Sequence, residues 1–222
     1  MSWGKATALY DDPEKIRSDI ASRELHLAPK LQPQIERFKD ELIVLSAYFV
    51  PGRKGVQFLQ QLRDRGIRVR ILTNSLASTD VPVVHAGYMK YRKDLLRAGV
   101  ELYEVDSKPN RLSGEKHKLI LGSSKASLHA KAYIFDRKKI FIGSFNLDPR
   151  SVLLNTELGI LFDSTVLGSG IGKGFDETIN SGKAFQLELI TPSNGNEAIR
   201  WNINHNGEEI SYLSEPNTSW WK

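Results

Sequence analysis

His129 and Lys131 stand two residues apart in the run His129-Ala130-Lys131-Ala132-Tyr133-Ile134-Phe135-Asp136, and Gly143-Ser144-Phe145-Asn146 follows six residues later. In a strand, alternate side chains share a face, so an imidazole and an ammonium would project side by side with Tyr133 while Ala130 and Ala132 point away. Lys131 can neutralise a phosphate oxygen as a point charge, and the Asn146 amide can donate a hydrogen bond to another. An imidazole ordinarily titrates near neutral pH, so His129 can attack phosphorus or carry a proton. With Asp136, Ser144 and Glu157 at fixed offsets, the set points to chemistry on a phosphate ester. His26, His117 and His205 lack such companions and read as surface or structural residues.

The elements that must position these residues follow from periodicity. Glu41 to Ser46 holds a continuous apolar centre suited to a strand buried on both faces. Val56, Phe58, Leu59 and Leu62 recur at helical spacing between Arg53 and Arg65, with Gly66 placed to end the helix. Ile67–Leu72 predicts the next strand, Ala86 to Arg97 a helix closed by Gly99, and Val100–Val105 a third strand. Strand and helix alternating at this pace indicates crossover units and a parallel sheet. Strands are then predicted over 130–135, 139–142 and 156–162, the first two joined by the charged turn Asp136-Arg137-Lys138. A helix over 167–180 leads into a strand over 185–189. The fold class expected is α/β: a mixed, mostly parallel central sheet flanked by helices on both faces, with a small β-rich C-terminal extension. Residues 1–30 read as a linker entering a short helix from Glu14 to Leu27, 31–190 as the catalytic unit, with a helical piece near 34–40, and 191–222 as the extension.

The chain has 222 residues, 40% of them hydrophobic and 26% charged, which suits a globular protein with a real core. It contains no cysteine, so disulfides, thiolate metal sites and a thiol nucleophile are excluded together. The formal net charge is +5. Nine Lys and Arg residues lie between Lys108 and Lys139 against Glu115 and Asp136, a local bias toward anionic partners such as phospholipid head groups or nucleic acid. The longest apolar runs, such as Leu42-Ile43-Val44-Leu45, fall far short of a bilayer span, and the start shows no apolar signal region, so any membrane contact is expected to be peripheral.

The pattern H-x-K-x4-D-x6-G-S-x-N at His129, Lys131, Asp136, Gly143, Ser144 and Asn146 resembles the HKD motif of the phospholipase D superfamily without a departure. Ser46-Ala47-Tyr48-Phe49-Val50-Pro51-Gly52, Thr73-Asn74-Ser75 with Asp80, His85-Ala86-Gly87-Tyr88, Tyr91-Arg92 and the closing Glu215-Pro216-Asn217-Thr218-Ser219-Trp220-Trp221 are similar to the C-terminal half of bacterial cardiolipin synthases, in their C-type branch. The resemblance implies a metal-independent, cofactor-free double displacement through a phosphohistidine, and so two histidines. His129 corresponds to the second-motif histidine, more often general acid and base than nucleophile. Lys131 and Asn146 would hold the phosphoryl oxygens, Glu157 would accept a hydrogen bond from the far ring nitrogen of the histidine, and Ser144 would orient its neighbours. Asp136 belongs to the same motif, with bracing of loops the reading its strand-end position favours. Tyr48, Asn74, His85 and Tyr88 are the candidates for contact with substrate, although for Tyr48 a place in the core is an even alternative.

Members of the two-motif branch carry two HKD copies, and this sequence holds one. The expectation is therefore a second half of a longer enzyme, or a chain that pairs with itself. The function implied is phosphatidyl transfer between phospholipids to make cardiolipin, with phosphatidylglycerol as partner and phosphatidylethanolamine as a second candidate, on the cytoplasmic face of a bacterial inner membrane. The alternatives are a single-motif homodimeric phosphodiesterase or nuclease, and a phosphate-binding lobe without turnover.

Overall fold

The computed structural model describes residues 4–19, 22–108, 127–193, 195–205 and 207–218. Residues 109–126, which carry much of the basic stretch, and the tryptophans Trp220 and Trp221 lie outside them.

The elements run β1 (Lys5–Tyr10), two 3₁₀ turns (Pro13–Ile16 and Arg23–Leu25), α1 (Leu27–Ile35), β2 (Glu41–Ser46), α2 (Gly52–Asp64), β3 (Arg68–Asn74), α3 (Pro82–Met89), α4 (Arg92–Arg97) and β4 (Glu101–Val105). They continue with β5 (Lys131–Phe135), β6 (Lys139–Gly143), α5 (Pro149–Leu153), β7 (Leu158–Asp163), α6 (Thr165–Asn180), β8 (Ala184–Ile190), β9 (Ala198–His205) and β10 (Glu208–Tyr212). The strands form one ten-stranded sheet in the order β1-β7-β6-β5-β2-β3-β4-β8-β9-β10.

Helices cover both faces of an α/β sheet, but the sheet is mostly antiparallel rather than mostly parallel. Only β2–β3 and β3–β4 run parallel, and these are the pairs joined by crossover helices. The other neighbouring strands pair antiparallel: Asp136-Arg137-Lys138 returns β5 directly into β6, with Asp136 and Arg137 both at positive φ, and β8, reached through α6, enters antiparallel to β4. The tail strands β9 and β10 extend the same sheet beyond β8. At the opposite edge the expected linker supplies β1, paired with β7.

Alternation sorts the core into two layers. Leu42, Val44, Val69, Ile71, Tyr133 and Phe135 pack with Leu27 and Leu31 of α1, Leu59 and Leu62 of α2, Tyr88 of α3 and Leu95 of α4. Ile43, Leu45, Leu72, Ala132, Ile134 and Ile140 face the other way, against Phe175 of α6. At the lower end of that face, Arg70 bridges Glu41 at 2.5 Å and Asp176 at 2.7 Å, and Arg137 reaches the same two carboxylates at 2.8 Å. Burial alone would raise the Asp176 carboxyl, yet the bonds from Arg137 and Arg70 hold it below its ordinary value.

The antiparallel arrangement decides where the chemistry lies. The C-terminal ends of β2, β3 and β6 and the N-terminal ends of β5 and β7 all meet at the upper edge of the sheet. Asp136 is at the lower edge.

Candidate active site

Lys131 opens β5 opposite Ser46, the last residue of β2, and its Nζ donates to the His129 carbonyl at 3.3 Å. The His129 side chain is exposed beside it, and its ring has no hydrogen bond to a described residue. Asn146 follows β6 and is only 6% exposed. Its Oδ1 accepts the Tyr48 backbone N–H at 3.3 Å, which orients the amide and leaves Nδ2 without a partner among the described residues. The segment leaving β2 is pinned to the segment carrying Asn146. Ser46 Oγ donates to the Tyr48 carbonyl at 2.8 Å and accepts from the Leu147 N–H at 3.4 Å, while the Val50 N–H donates to the Leu147 carbonyl at 2.8 Å.

Glu157 is buried just before β7, and its bonds differ from those the resemblance implies. Its carboxylate accepts from Ser144 Oγ and, at 3.3 Å, from Asn155 Nδ2, rather than from the His129 ring. Ser144 Oγ also accepts the Leu158 N–H at 3.1 Å, so this exposed serine ties Glu157 to the start of β7. Tyr48 is partly exposed at the same edge and donates its hydroxyl to Asp80 at 3.0 Å. Burial, then that hydrogen bond, raises the Tyr48 phenol above its ordinary value.

Four expected site residues lie elsewhere or face inward. Asp136 sits at the far end of β5, where its carboxylate accepts the backbone N–H groups of Lys39 (3.0 Å), Asp40 (2.8 Å) and Glu41 (2.9 Å). Its place in the motif is thus a brace for the entry into β2. Asp136→Ala should cost about 1–3 kcal/mol in denaturant unfolding and leave the turnover of the folded fraction unchanged. Asn74 is buried at the end of β3. It donates to the carbonyls of Ala47 (3.2 Å) and Leu128 (3.0 Å) and accepts the Leu128 N–H at 2.8 Å. It holds the residue preceding His129 by both backbone groups, with no donor left for a ligand. Asn74→Ala should therefore lower kcat on the order of 10²-fold through a misplaced His129, with KM nearly unchanged in steady-state assays.

His85 and Tyr88 are buried as well. His85 Nε2 accepts from the Arg92 guanidinium at 2.7 Å, and its ring meets Tyr88 edge-on at 5.5 Å between centroids. The cavity that His85 and Tyr88 share with Tyr48 and Asn74 is about 10 Å³, one water at most and no head-group pocket.

A further brace, Asp11, lies outside the sequence-derived set. Buried at the end of β1, it accepts the Glu157 N–H at 2.8 Å and the Leu27 N–H at 2.5 Å, and pairs with buried Lys15 at 2.9 Å. The run Asp11-Asp12-Pro13, with Lys15 four residues after Asp11, was the available signal: an acidic cap before a turn.

This upper edge has the parts of a phosphate cradle: an ammonium, an oriented amide donor and an exposed imidazole. A family profile described as "Cardiolipin synthase, PLD-like domain" matches residues 31–179, which include all three. This chain belongs to the phospholipase D-like family. Cardiolipin synthase C of Escherichia coli K12 is 43% identical over all 222 residues, and the chain spans 46% of that protein. Cardiolipin synthase B of Shigella flexneri is 29% identical over 160 residues, 71% of this chain and 32% of that protein. The chain thus spans less than half the length of these curated relatives. The phospholipase D-like fold recurs in solved structures. Nuc, a phospholipase D family member from Salmonella typhimurium, matches with a TM-score of 0.59 at 14% identity over 84% of this chain and 99% of that one. A phosphatidylserine synthase from Haemophilus influenzae matches at 0.57 and 15% identity, over 82% of this chain and 39% of that one. No described helix is long and apolar enough to cross a membrane.

Proposed function

We propose that this chain carries one half of a phosphatidyl-transfer site that makes cardiolipin from phosphatidylglycerol and a second phospholipid. The observation that carries the reading is the convergence at one sheet edge of His129, Lys131 and Asn146, whose Nδ2 has no partner among the described residues. The 43% identity to a cardiolipin synthase over the full length of this chain supports a lipid substrate.

Lys131 and Asn146 Nδ2 hold the phosphoryl oxygens and stabilise the charge that builds on them as phosphorus becomes five-coordinate. One imidazole nitrogen attacks phosphorus, and the bond to the departing alcohol breaks as that oxygen takes a proton from a second imidazole. The incoming alcohol then gives its proton back to the second imidazole, attacks phosphorus and breaks the P–N bond. Atoms and charge balance over the cycle, and no step uses a metal. His129 is the proton-transferring imidazole, and the nucleophile comes from a second HKD half. Glu157 acts through Ser144 in shaping the edge, and Tyr48 borders the entry.

The test is incubation with phosphatidylglycerol vesicles, with and without phosphatidylethanolamine, at several protein concentrations and beside plasmid DNA. Cardiolipin is expected, with glycerol or ethanolamine released, at a rate per chain that rises with concentration. EDTA should leave the rate unchanged; a loss that Mg²⁺ restores contradicts the mechanism. Cleaved DNA without a lipid product supports the second reading, a phosphodiesterase. That reading draws on the fold match, which spans nearly all of the Salmonella chain.

A further inference from the structure

Asp80 stands exposed on the loop between β3 and α3, and no cation among the described residues pairs with it. Its two oxygens share one donor, the Tyr48 hydroxyl, at 3.0 Å each. A carboxylate has about four lone-pair sites, so a single O–H leaves most of its accepting capacity open.

The loop holds that carboxylate in place through its own turn. Ser75 Oγ accepts the Ser78 N–H at 3.2 Å, the Ser75 carbonyl accepts the Thr79 N–H at 3.0 Å, and Thr79 Oγ1 accepts the Val81 N–H at 3.2 Å. Ser78, two residues before Asp80, donates its hydroxyl to Asn74 Oδ1 at 3.2 Å. The same oxygen accepts the N–H of Leu128, the residue ahead of His129. On the other side, Tyr48 donates its backbone N–H to Asn146 Oδ1 at 3.3 Å and its hydroxyl to Asp80. Asp80 is thus tied by one route to the segment carrying His129 and by another to Asn146, one tyrosine side chain away from it.

Charge decides what such a carboxylate can bind. Lys131 and Asn146 Nδ2 suit an anion, and a carboxylate near them repels one. It gains only from a part of the ligand that carries hydrogen-bond donors. In a phosphodiester that part is the alcohol side, beyond the bridging oxygen. An ammonium supplies three donors and a full positive charge, where a glycerol group supplies neutral hydroxyls. An ester with its ammonium two carbons beyond the bridging oxygen therefore matches the edge at both ends, its phosphate on Lys131 and Asn146 and its ammonium on Asp80.

We propose that Asp80, held by Tyr48, selects the alcohol side of the substrate and favours an ethanolamine-type ammonium over glycerol hydroxyls. The inference rests on the phosphodiester reading above and adds to it the residue that reads the head group. Tyr48 is a positioning residue, acting through Asp80.

The test titrates the whole chain with three soluble ligands, glycerophosphoethanolamine, glycerophosphoglycerol and inorganic phosphate, followed by its backbone amide NMR signals. The wild type should bind the ethanolamine ester more tightly than the glycerol ester. Asp80→Asn keeps an acceptor for the Tyr48 hydroxyl and removes the charge. It should weaken the ethanolamine ester by about tenfold, leave the glycerol ester within about twofold, and bind phosphate equally or more tightly. Asp80→Glu should recover part of the loss, and Tyr48→Phe should weaken the ethanolamine ester by a smaller factor. Circular dichroism reports whether each variant keeps its fold. Equal loss of all three ligands in Asp80→Asn overturns the proposal and reduces Asp80 to a tether for its loop; no loss of any ligand overturns it as well. A wild type that binds phosphate without preferring the ethanolamine ester also overturns it, and leaves the phosphodiester reading standing. A wild type that binds none of the three overturns both.

Discussion

Replacing His129 with alanine is expected to abolish transfer, with a loss of at least about 10³-fold, because proton transfer by a positioned side chain typically supplies 10²–10⁴. The ring is exposed and has no hydrogen bond to a described residue, so the substitution leaves no buried group unpaired among them. Stability should be unchanged within about 0.5 kcal/mol, as for ordinary surface substitutions. Lys131→Ala should fall by a comparable factor, whereas Lys131→Arg should retain part of the rate because the positive charge survives on a differently shaped head. A His129→Ala variant with substantial turnover would assign the chemistry to another group.

Arg92→Ala should produce the largest loss of stability, about 3–5 kcal/mol in denaturant unfolding, by stranding a buried carboxylate. Arg92 is 2% exposed and Glu104 is fully buried, and the two meet at 2.9 Å. The guanidinium also binds Glu215 and His85 and lies over the rings of Tyr88 at 4.9 Å and Trp201 at 5.5 Å. Trp201 Nε1 donates to Glu104 at 3.1 Å. Burial raises the Glu104 carboxyl above its ordinary value and Arg92 opposes that shift; without Arg92 the carboxyl rises further. An acid with a raised folded value favours folding only while protonated. The deficit of the variant should therefore shrink as pH falls toward about 4.3, the unfolded glutamate value, and widen above it. Glu215 behaves in the opposite sense: burial would raise it, but the neighbouring His85 ring and the bond from Arg92 hold it below its ordinary value. Its own contribution is present above the unfolded value and is lost as pH falls through the folded one. The network joins α3, α4, β4, β9 and the tail beneath the site, so its loss should loosen that end first.

The upper edge was legible in the sequence because its residues fall in one short run. His129 and Lys131 are two apart, and a single turn brings Ser144 and Asn146 back beside them. β2, β3 and β4 were equally legible, since their apolar centres are continuous. β1 was not: Lys5-Ala6-Thr7-Ala8-Leu9-Tyr10 is a short edge strand, largely exposed, with little apolar contrast. α1 runs from Leu27 to Ile35, earlier than the helical piece expected near 34–40, and Pro29 in its first turn and Pro33 inside disguise it in the sequence. The mostly parallel sheet was an extrapolation from two real crossovers to strands that pair antiparallel, whether after the short turn between β5 and β6 or after a longer segment such as α6.

The inward roles of Asn74, His85, Tyr88 and Asp136 could not be read from spacing, because each depends on a backbone group or a guanidinium distant in sequence. Asn74 reaches Leu128 across 54 positions, and Asp136 reaches Glu41 across 95. Glu157 shows the same limit: its place beside the edge followed from the motif, but its bond to Ser144 required the register of β6 against β7. Polar residues near a catalytic motif thus divide into those that face a ligand and those that hold the ones that do. Only burial and donor accounting separate them.

The most direct test of the central claim is the imidazole NMR signal of His129 in the intact chain during titration with orthovanadate, a mimic of phosphorus in transfer. The account predicts that the His129 ring resonances shift and saturate, that Asn146→Ala weakens the titration and that Lys131→Ala removes it, while His85 and His205 stay still. Unmoved His129 resonances, or a response that survives loss of both Lys131 and Asn146, would contradict it.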